Sequence, residues 1–143
     1  MSIAGGYFLG KGMRNDKKPR ILIVTPEITY IPERMTTISS SLTAKAGGLA
    51  DVSAALINAL FHQGADVHVA LPDYRAIFNE RLSCYLKREQ KSIRRVTSDD
   101  RVHLAEDCAF FYLDSVYSDY GGQNTKVSLA FQREVMNNLI PRI

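Results

Sequence analysis

The chain has 143 residues, of which 45% are hydrophobic, and its formal net charge is +3 at neutral pH. This length and apolar content suit one globular domain with a core of its own. No apolar run approaches the ~18 residues of a membrane span, and the amino terminus lacks the compact apolar block of a secretory signal. We therefore expect a cytoplasmic protein without a membrane partner.

Two basic stretches carry much of the positive charge: KGMRNDKKPR at 11–20 and KREQKSIRR at 87–95. Neither is interleaved with aromatic residues that could stack on bases, so we interpret both as solvated surface and expect no nucleic-acid partner. Cys84 and Cys108 are predicted to be reduced thiols. Because no CxxC motif or Cys/His cluster is present, no metal site is expected.

The first third of the chain contains one predicted strand between two irregular segments. Residues 1–18 carry four glycines in poor periodicity and are predicted to form a mobile leader. Residues 20–25 (RILIVT) are continuously apolar and β-branched up to Pro26, a pattern typical of a strand buried on both faces of a parallel sheet. Residues 28–44 show no sustained period and are predicted to form a long loop.

A helical period begins at Leu49 and is predicted to end at Gly64, a natural residue to follow a helix. The apolar face predicted from this period comprises Leu49, Val52, Leu56, Ala59, Leu60 and Gln63, widened by Ile57. Residues 65–71 then alternate and stop at Pro72, as a second strand would. Strand, helix and strand form a βαβ unit with parallel strands.

Beyond Tyr74 the pattern is weaker. Short strands are predicted at 82–87, 93–97 and 102–104, a firmer one at 109–113 (AFFYL), a loop at 115–125 and a helix at 126–139. The predicted fold class is therefore α/β, with a Rossmann-like parallel sheet that has a mixed edge and flanking helices.

The segment KAGGLAD, residues 45–51, lies between the first strand and the first helix, where ligands of open α/β sheets bind. Glycines let backbone N–H groups approach an oxyanion, the first helical turn adds unpaired donors, and a lysine adds a full positive charge. The nucleotide fingerprints GxGxxG and GxxxxGK[ST] are both absent. The residues alone are thus equally compatible with a phosphate site and with a tight turn.

Residues 45–74, KAGGLADVSAALINALFHQGADVHVALPDY, resemble the signature, helix and strand of the bacterial glycogen synthase and starch synthase family, which transfers glucose from ADP-glucose. The first strand with Pro26 and Glu27 resembles that family's opening strand, and FFYLDSVYSDYGG at 110–122 resembles a further segment. The resemblance spans about residues 20–143. It implies that 19–143 are an incomplete first domain of a two-domain, Rossmann-like glycosyltransferase.

The same resemblance implies the site residues. Lys45, Gly47 and Gly48 would bind the phosphate and sugar of ADP-glucose, and Asp51 and Glu27 would lie on the glucose or glucan side as candidate catalytic residues. The implied reaction is a retaining transfer of glucose to an α-1,4-glucan, without a metal or another cofactor. Asp51 also fits a role in complementing the helix dipole, and Glu27 a role in orienting the loop.

Three departures from the family pattern bear on function. The loop between Glu27 and Lys45 is longer than in ordinary members, and we interpret the excess as a solvated surface insertion rather than a glucan contact. Ala46 replaces the usual threonine. The family's histidine-containing motif and its second domain would lie past Ile143, so we expect an amino-terminal piece that is inactive alone and needs the missing domain as its partner.

His62, His68 and His103 do not replace that motif and are interpreted as structural or surface residues. Two rival functions stay open. One is a standalone domain that binds glucan or a partner protein without catalysis. The other is a different α/β nucleotide enzyme, which the absence of GxGxxG makes less favoured.

Overall fold

A computed structural model describes residues 18–36, 38–79 and 101–143 of the chain. The leader predicted at 1–18 lies outside these residues except for Lys18, and the strands predicted at 82–87 and 93–97 lie outside them entirely. Cys84 is likewise outside, whereas Cys108 is an exposed free thiol.

The described strands form one parallel sheet in the order β1-β2-β3. They are β1 (Arg20–Val24), β2 (Asp66–Pro72) and β3 (Val102–Ala105). Ile21 lies opposite Val67, and Val69 lies opposite Val102. The α/β fold class and the parallel pairing of the first two strands are confirmed. Val102–Ala105 also pairs in parallel, so the described strands do not form the mixed edge that we expected.

Helix α1 (Gly48–His62) makes the crossover from β1 to β2, as predicted. Gly64 follows it in the left-handed region, with φ of 71°, which favours glycine because other residues are strained there. The predicted apolar face is confirmed only in part, because Ile57 is fully buried and Leu60 packs against the core, but the other positions predicted for it are exposed. The buried side chains of α1 are Ala50, Ser53, Ala54 and Ile57, while Leu49, Val52 and Leu56 are about half exposed or more.

The reason for this error is a second set of residues at helical spacing. Positions 50, 53, 54 and 57 also follow the period of one helix face, and three of them carry small side chains. Small side chains let α1 approach β2, whose Val67, Val69 and Leu71 are fully buried. Close packing against the sheet therefore selects the face with the smaller residues.

The structure of the loop at 28–44 also differs from the solvated surface insertion that we predicted. Ile28 and Ala44 exchange two backbone hydrogen bonds of 2.9 Å, and two short 3-10 helices, Glu33–Met35 and Ser39–Ser41, lie between them. Its apolar side chains are buried in the core: Ile28, Ile31, Met35, Leu42 and Ala44. The loop is therefore part of the folded core, and the interpretation as solvated surface is wrong.

The remaining helices follow β2 and β3 in the chain. They are α2 (Arg75–Asn79), α3 (Cys108–Phe111) and α4 (Gln123–Glu134), and α4 continues into a π-helical turn (Val135–Leu139) and a 3-10 helix (Ile140–Arg142). The helix predicted at 126–139 is confirmed, with an earlier start. The strand predicted at 109–113 is wrong, because α3 occupies most of that segment.

The structure shows what overrides the β propensity of AFFYL. The Asp107 carboxylate accepts a hydrogen bond of 2.8 Å from the Ala109 N–H and so caps α3. Helical winding places Phe110 in the core, with its ring centroid 6.3 Å from that of Tyr74 and 6.5 Å from that of Phe131. A local cap and aromatic packing thus decide the structure of this segment.

Candidate functional site

Glu27 lies where the chain leaves β1, and its carboxylate holds the turn that precedes α1. Its Oε2 accepts hydrogen bonds from the Ala46 and Gly47 N–H groups, both at 2.8 Å. Its Oε1 accepts one of 3.1 Å from the Tyr117 hydroxyl. The side chain is 2% exposed. Both carboxylate oxygens of Glu27 are therefore occupied by groups of the protein itself.

Lys45 and Asp51 face each other across the same turn. The Lys45 ammonium lies 2.9 and 2.8 Å from the two carboxylate oxygens of Asp51, and the Thr29 hydroxyl donates a 2.6 Å hydrogen bond to Asp51 Oδ1. Both charged side chains are about half exposed. The hydrogen bond from Lys45, followed by that from Thr29, lowers the pKa of Asp51 below its usual value, so Asp51 is a carboxylate at neutral pH.

Gly47 and Gly48 border open space. A Cβ atom built on either glycine meets no heavy atom of the protein within 4 Å, and neither glycine has a positive φ. Gly47 is the residue that precedes α1, and no side chain caps the helix. The N–H groups of the first turn and the positive end of the helix dipole thus lie beside Lys45. This combination of groups is suited to an anion.

A network of hydroxyl groups fixes the backbone at Pro26 and Glu27. The Thr25 hydroxyl donates to the Glu27 carbonyl at 2.8 Å and lies 3.1 Å from the Ser53 hydroxyl of α1. The Tyr74 hydroxyl, just beyond β2, donates to the Pro26 carbonyl at 2.8 Å. β1, α1 and β2 therefore all contribute to holding Glu27 in place.

The structure brings together all five residues singled out in the sequence: Lys45, Gly47, Gly48, Asp51 and Glu27. It adds residues that sequence reasoning missed, namely Thr25, Thr29, Ser53, Tyr74 and Tyr117. Of these residues, the sequence could have indicated only Thr25 and Thr29, because both lie near the end of β1. Tyr117 lies 90 positions from Glu27, and no local pattern reveals such a contact.

Burial and the neighbouring carboxylate affect the two tyrosines. Burial, and after it the hydrogen bond to Glu27, raises the pKa of Tyr117. Burial also raises the pKa of Tyr74. Both phenols therefore stay protonated near neutral pH and act as hydrogen-bond donors to the Pro26–Glu27 segment.

The histidines form no part of this turn. His68 Nδ1 of β2 lies 2.9 Å from His103 Nε2 of β3, and the two rings are stacked. His68 also lies 3.3 Å from the Asp66 carboxylate, while His62 is exposed at the end of α1. In the described ranges, no group of three His, Cys, Asp or Glu side chains is arranged to hold a metal ion. The helices described there are also too short or too polar to cross a bilayer.

Comparison with known proteins identifies the family. Residues 20–141 match the family described as the starch synthase catalytic domain. Searches of curated proteins and of solved structures returned no match. The family match covers most of the chain, including the turn and every residue of the Glu27 network. The chain therefore belongs to the starch synthase catalytic domain family, whose activity is glucosyl transfer.

Proposed function

We propose that this chain supplies one wall of the donor site of a glucosyltransferase that moves glucose from ADP-glucose to the non-reducing end of an α-1,4-glucan. The observation that carries the proposal is the open turn at Gly47 and Gly48. Nothing in the described protein occupies the space above these glycines, and Lys45 and the first turn of α1 lie at its edge. A diphosphate fits this place because Lys45 and the first turn of α1 complement its negative charge and because the two glycines let it come close to the backbone.

In this proposal Lys45 exchanges its partner when the donor binds. In the free protein Asp51 holds the ammonium group at the turn through two hydrogen bonds. Because the pair is about half exposed, water screens it and little free energy opposes its opening. The diphosphate then takes the place of Asp51, and Lys45 offsets the charge that develops as ADP leaves.

The two carboxylates are assigned different roles. Glu27 is proposed as a positioning residue, because its oxygens bind the Ala46 and Gly47 N–H groups and the Tyr117 hydroxyl rather than facing open space. Asp51 is proposed to act as an anion. Its lowered pKa makes it unsuited to donate a proton, whereas it can accept a hydrogen bond from a sugar hydroxyl after Lys45 moves.

The other contacts to the donor are assigned to a second domain of the kind this family carries. One lysine and one helix amino terminus neutralise only part of a diphosphate. We therefore expect the chain alone to bind ADP-glucose weakly and to transfer no glucose. Closure of a second wall would exclude water and strengthen the electrostatic contribution of Lys45.

A second function, glucan binding without catalysis, is favoured by one observation. Lys45 is already paired with Asp51, and the Gly47 N–H is already bonded to Glu27. A turn satisfied in this way needs no anion, and the domain would then bind glucan through neutral contacts alone.

The experiment compares Lys45→Ala with the matched control Lys126→Ala, which removes an exposed lysine from α4. ADP-glucose is titrated into each protein by NMR, and the Gly47 and Gly48 amide signals are followed. We expect the dissociation constant to rise about tenfold for Lys45→Ala, equivalent to ~1.4 kcal/mol, with little change in thermal stability. Equal affinities of the two variants, or no binding to the unmodified chain, would refute the donor-site proposal.

A further inference from the structure

The loop at 28–44 contributes a side chain to the Lys45–Asp51 pair. The Thr29 hydroxyl donates a hydrogen bond of 2.6 Å to Asp51 Oδ1, and the two residues are 22 positions apart in the chain. The Lys45 ammonium donates to both oxygens of the same carboxylate, at 2.9 and 2.8 Å. Asp51 is therefore held by two donors, of which only Lys45 leaves in the proposed exchange with the diphosphate.

The backbone of Thr29 is fixed independently of its hydroxyl group. The Thr29 N–H donates to the Ala50 carbonyl of α1 at 3.4 Å, and the Thr43 hydroxyl donates to the Thr29 carbonyl at 3.2 Å. The preceding residue, Ile28, is fully buried and exchanges two backbone hydrogen bonds of 2.9 Å with Ala44. Because the backbone at Thr29 is anchored in this way, the hydroxyl sets the position of the carboxylate that it bonds rather than following it.

Asp51 needs such an anchor because it is exposed and lies at the start of a helix. Its side chain is 53% exposed, and an ion pair in that environment restrains a side chain only weakly. It belongs to the first turn of α1, which no side chain caps. Unpaired N–H groups at a helix start attract a carboxylate, so a released Asp51 would compete with the diphosphate for them. The hydrogen bond from Thr29 keeps this negative charge on the loop instead.

We propose that Thr29 is a positioning residue for donor binding, which holds the Asp51 carboxylate away from the first N–H groups of α1 while Lys45 moves to the diphosphate. The assignment rests on the proposed function for the identity of the anion. After the hydrogen bond from Lys45, the one from Thr29 contributes most to lowering the pKa of Asp51, as a hydrogen bond to the charged form does. The loop thus affects donor binding without touching the donor.

NMR of the 143-residue chain tests the assignment through Asp51 itself. Thr29→Val removes the hydroxyl and keeps the shape of the side chain, Thr29→Ser keeps a hydroxyl, and Thr43→Val is the matched control in the same loop. Titration of the Asp51 carboxyl carbon should show a raised pKa in Thr29→Val and the original pKa in Thr29→Ser and Thr43→Val. The Gly48 and Leu49 amide signals should shift in Thr29→Val without any ligand, because the released carboxylate turns toward them.

ADP-glucose is then titrated into each variant. We expect its dissociation constant to rise about threefold in Thr29→Val only, which corresponds to the loss of part of one hydrogen bond. Far-UV circular dichroism checks that each variant is folded. If the valine variant is not folded, Thr29→Ala takes its place under the same criteria.

Two results would overturn the inference. One is an unchanged Asp51 pKa in Thr29→Val, and the other is equal ADP-glucose affinity in Thr29→Val and Thr43→Val. If Lys45→Ala still weakens ADP-glucose binding in either case, the donor-site proposal stands without the role of Thr29. Failure of the unmodified chain to bind ADP-glucose overturns both.

Discussion

Removal of the Glu27 carboxylate tests the structural reasoning most directly. Glu27→Ala deletes the acceptor of three hydrogen bonds at once. Glu27→Gln loses the charge and replaces one oxygen by an NH2 donor, but it keeps one acceptor oxygen that can face the Ala46 and Gly47 N–H groups. If the carboxylate is what holds the turn, the two substitutions must differ in their cost. The Gly47 amide should also respond, because its hydrogen-bond acceptor is removed only by the alanine substitution.

The expected magnitude follows from the environment of the three donors. A hydrogen bond to a charged group contributes about 1.5–3 kcal/mol when water cannot replace the acceptor. The turn and Tyr117 lie near solvent, so we take about 1 kcal/mol for each, and thus about 3 kcal/mol for Glu27→Ala. Glu27→Gln should cost about 1.5 kcal/mol, because neutral hydrogen bonds are roughly half as strong as charge-assisted ones.

Urea denaturation followed by circular dichroism measures these differences, and Glu33→Ala is the control. Glu33 is also acidic but exposed, so its removal should change the free energy of unfolding by less than about 0.5 kcal/mol. A cost of about 3 kcal/mol corresponds to a fall in thermal midpoint of roughly 10 °C for a chain of this size. If Glu27→Ala is as stable as Glu33→Ala, the carboxylate does not hold the turn and its assignment as a positioning residue is wrong.

Two further predictions concern stability. Gly48→Ala is expected to leave the free energy of unfolding unchanged or to raise it by up to about 1 kcal/mol, while ADP-glucose affinity falls at least threefold. Thermal melts measure the stability and NMR titration measures the affinity. A loss of stability would contradict the open geometry around Gly48. Burial, followed by the neighbouring His68, lowers the pKa of His103 to about 4, so the unfolded chain binds more protons as pH falls below about 6.5. The free energy of unfolding should then drop by about 1–2 kcal/mol between pH 6.5 and 4, discounted for partial exposure; His103→Gln should reduce this dependence, and the exposed His62→Gln should not.

Much of the fold could be predicted because its strands and main crossover helix have strong local patterns. The apolar run at 20–25 predicts a strand, and β1 forms there, but burial on both faces is wrong for the described residues, since Ile21 to Ile23 are partly buried and Val24 is 47% exposed. The residues from Asp66 to Pro72 alternate up to a proline. Gly64 marks the end of α1 through a backbone conformation that other residues avoid. These features depend on neighbours within a few residues, so a sequence without structural information displays them.

The wrong structural predictions have one physical cause, which is competition between local sequence patterns that tertiary packing resolves. α1 has two apolar faces at helical spacing, and the sheet selected the one with small side chains. AFFYL has high β propensity, yet the Asp107 cap and the burial of Phe110 favour a helix. The loop at 28–44 lacks a period because its buried residues contact the core from irregular backbone, and periodicity detects only regular backbone.

The sequence by itself determined the parallel α/β framework and the place of the Lys45–Asp51 turn, since both follow from short-range periodicity and from the types of residue at that turn. Only the tertiary structure decided what each side chain of the turn does. It paired Lys45 with Asp51 and assigned both Glu27 oxygens to the turn and to Tyr117. The Glu27 contacts join residues 19 to 90 positions apart in the chain, and their geometry depends on packing that no local pattern encodes.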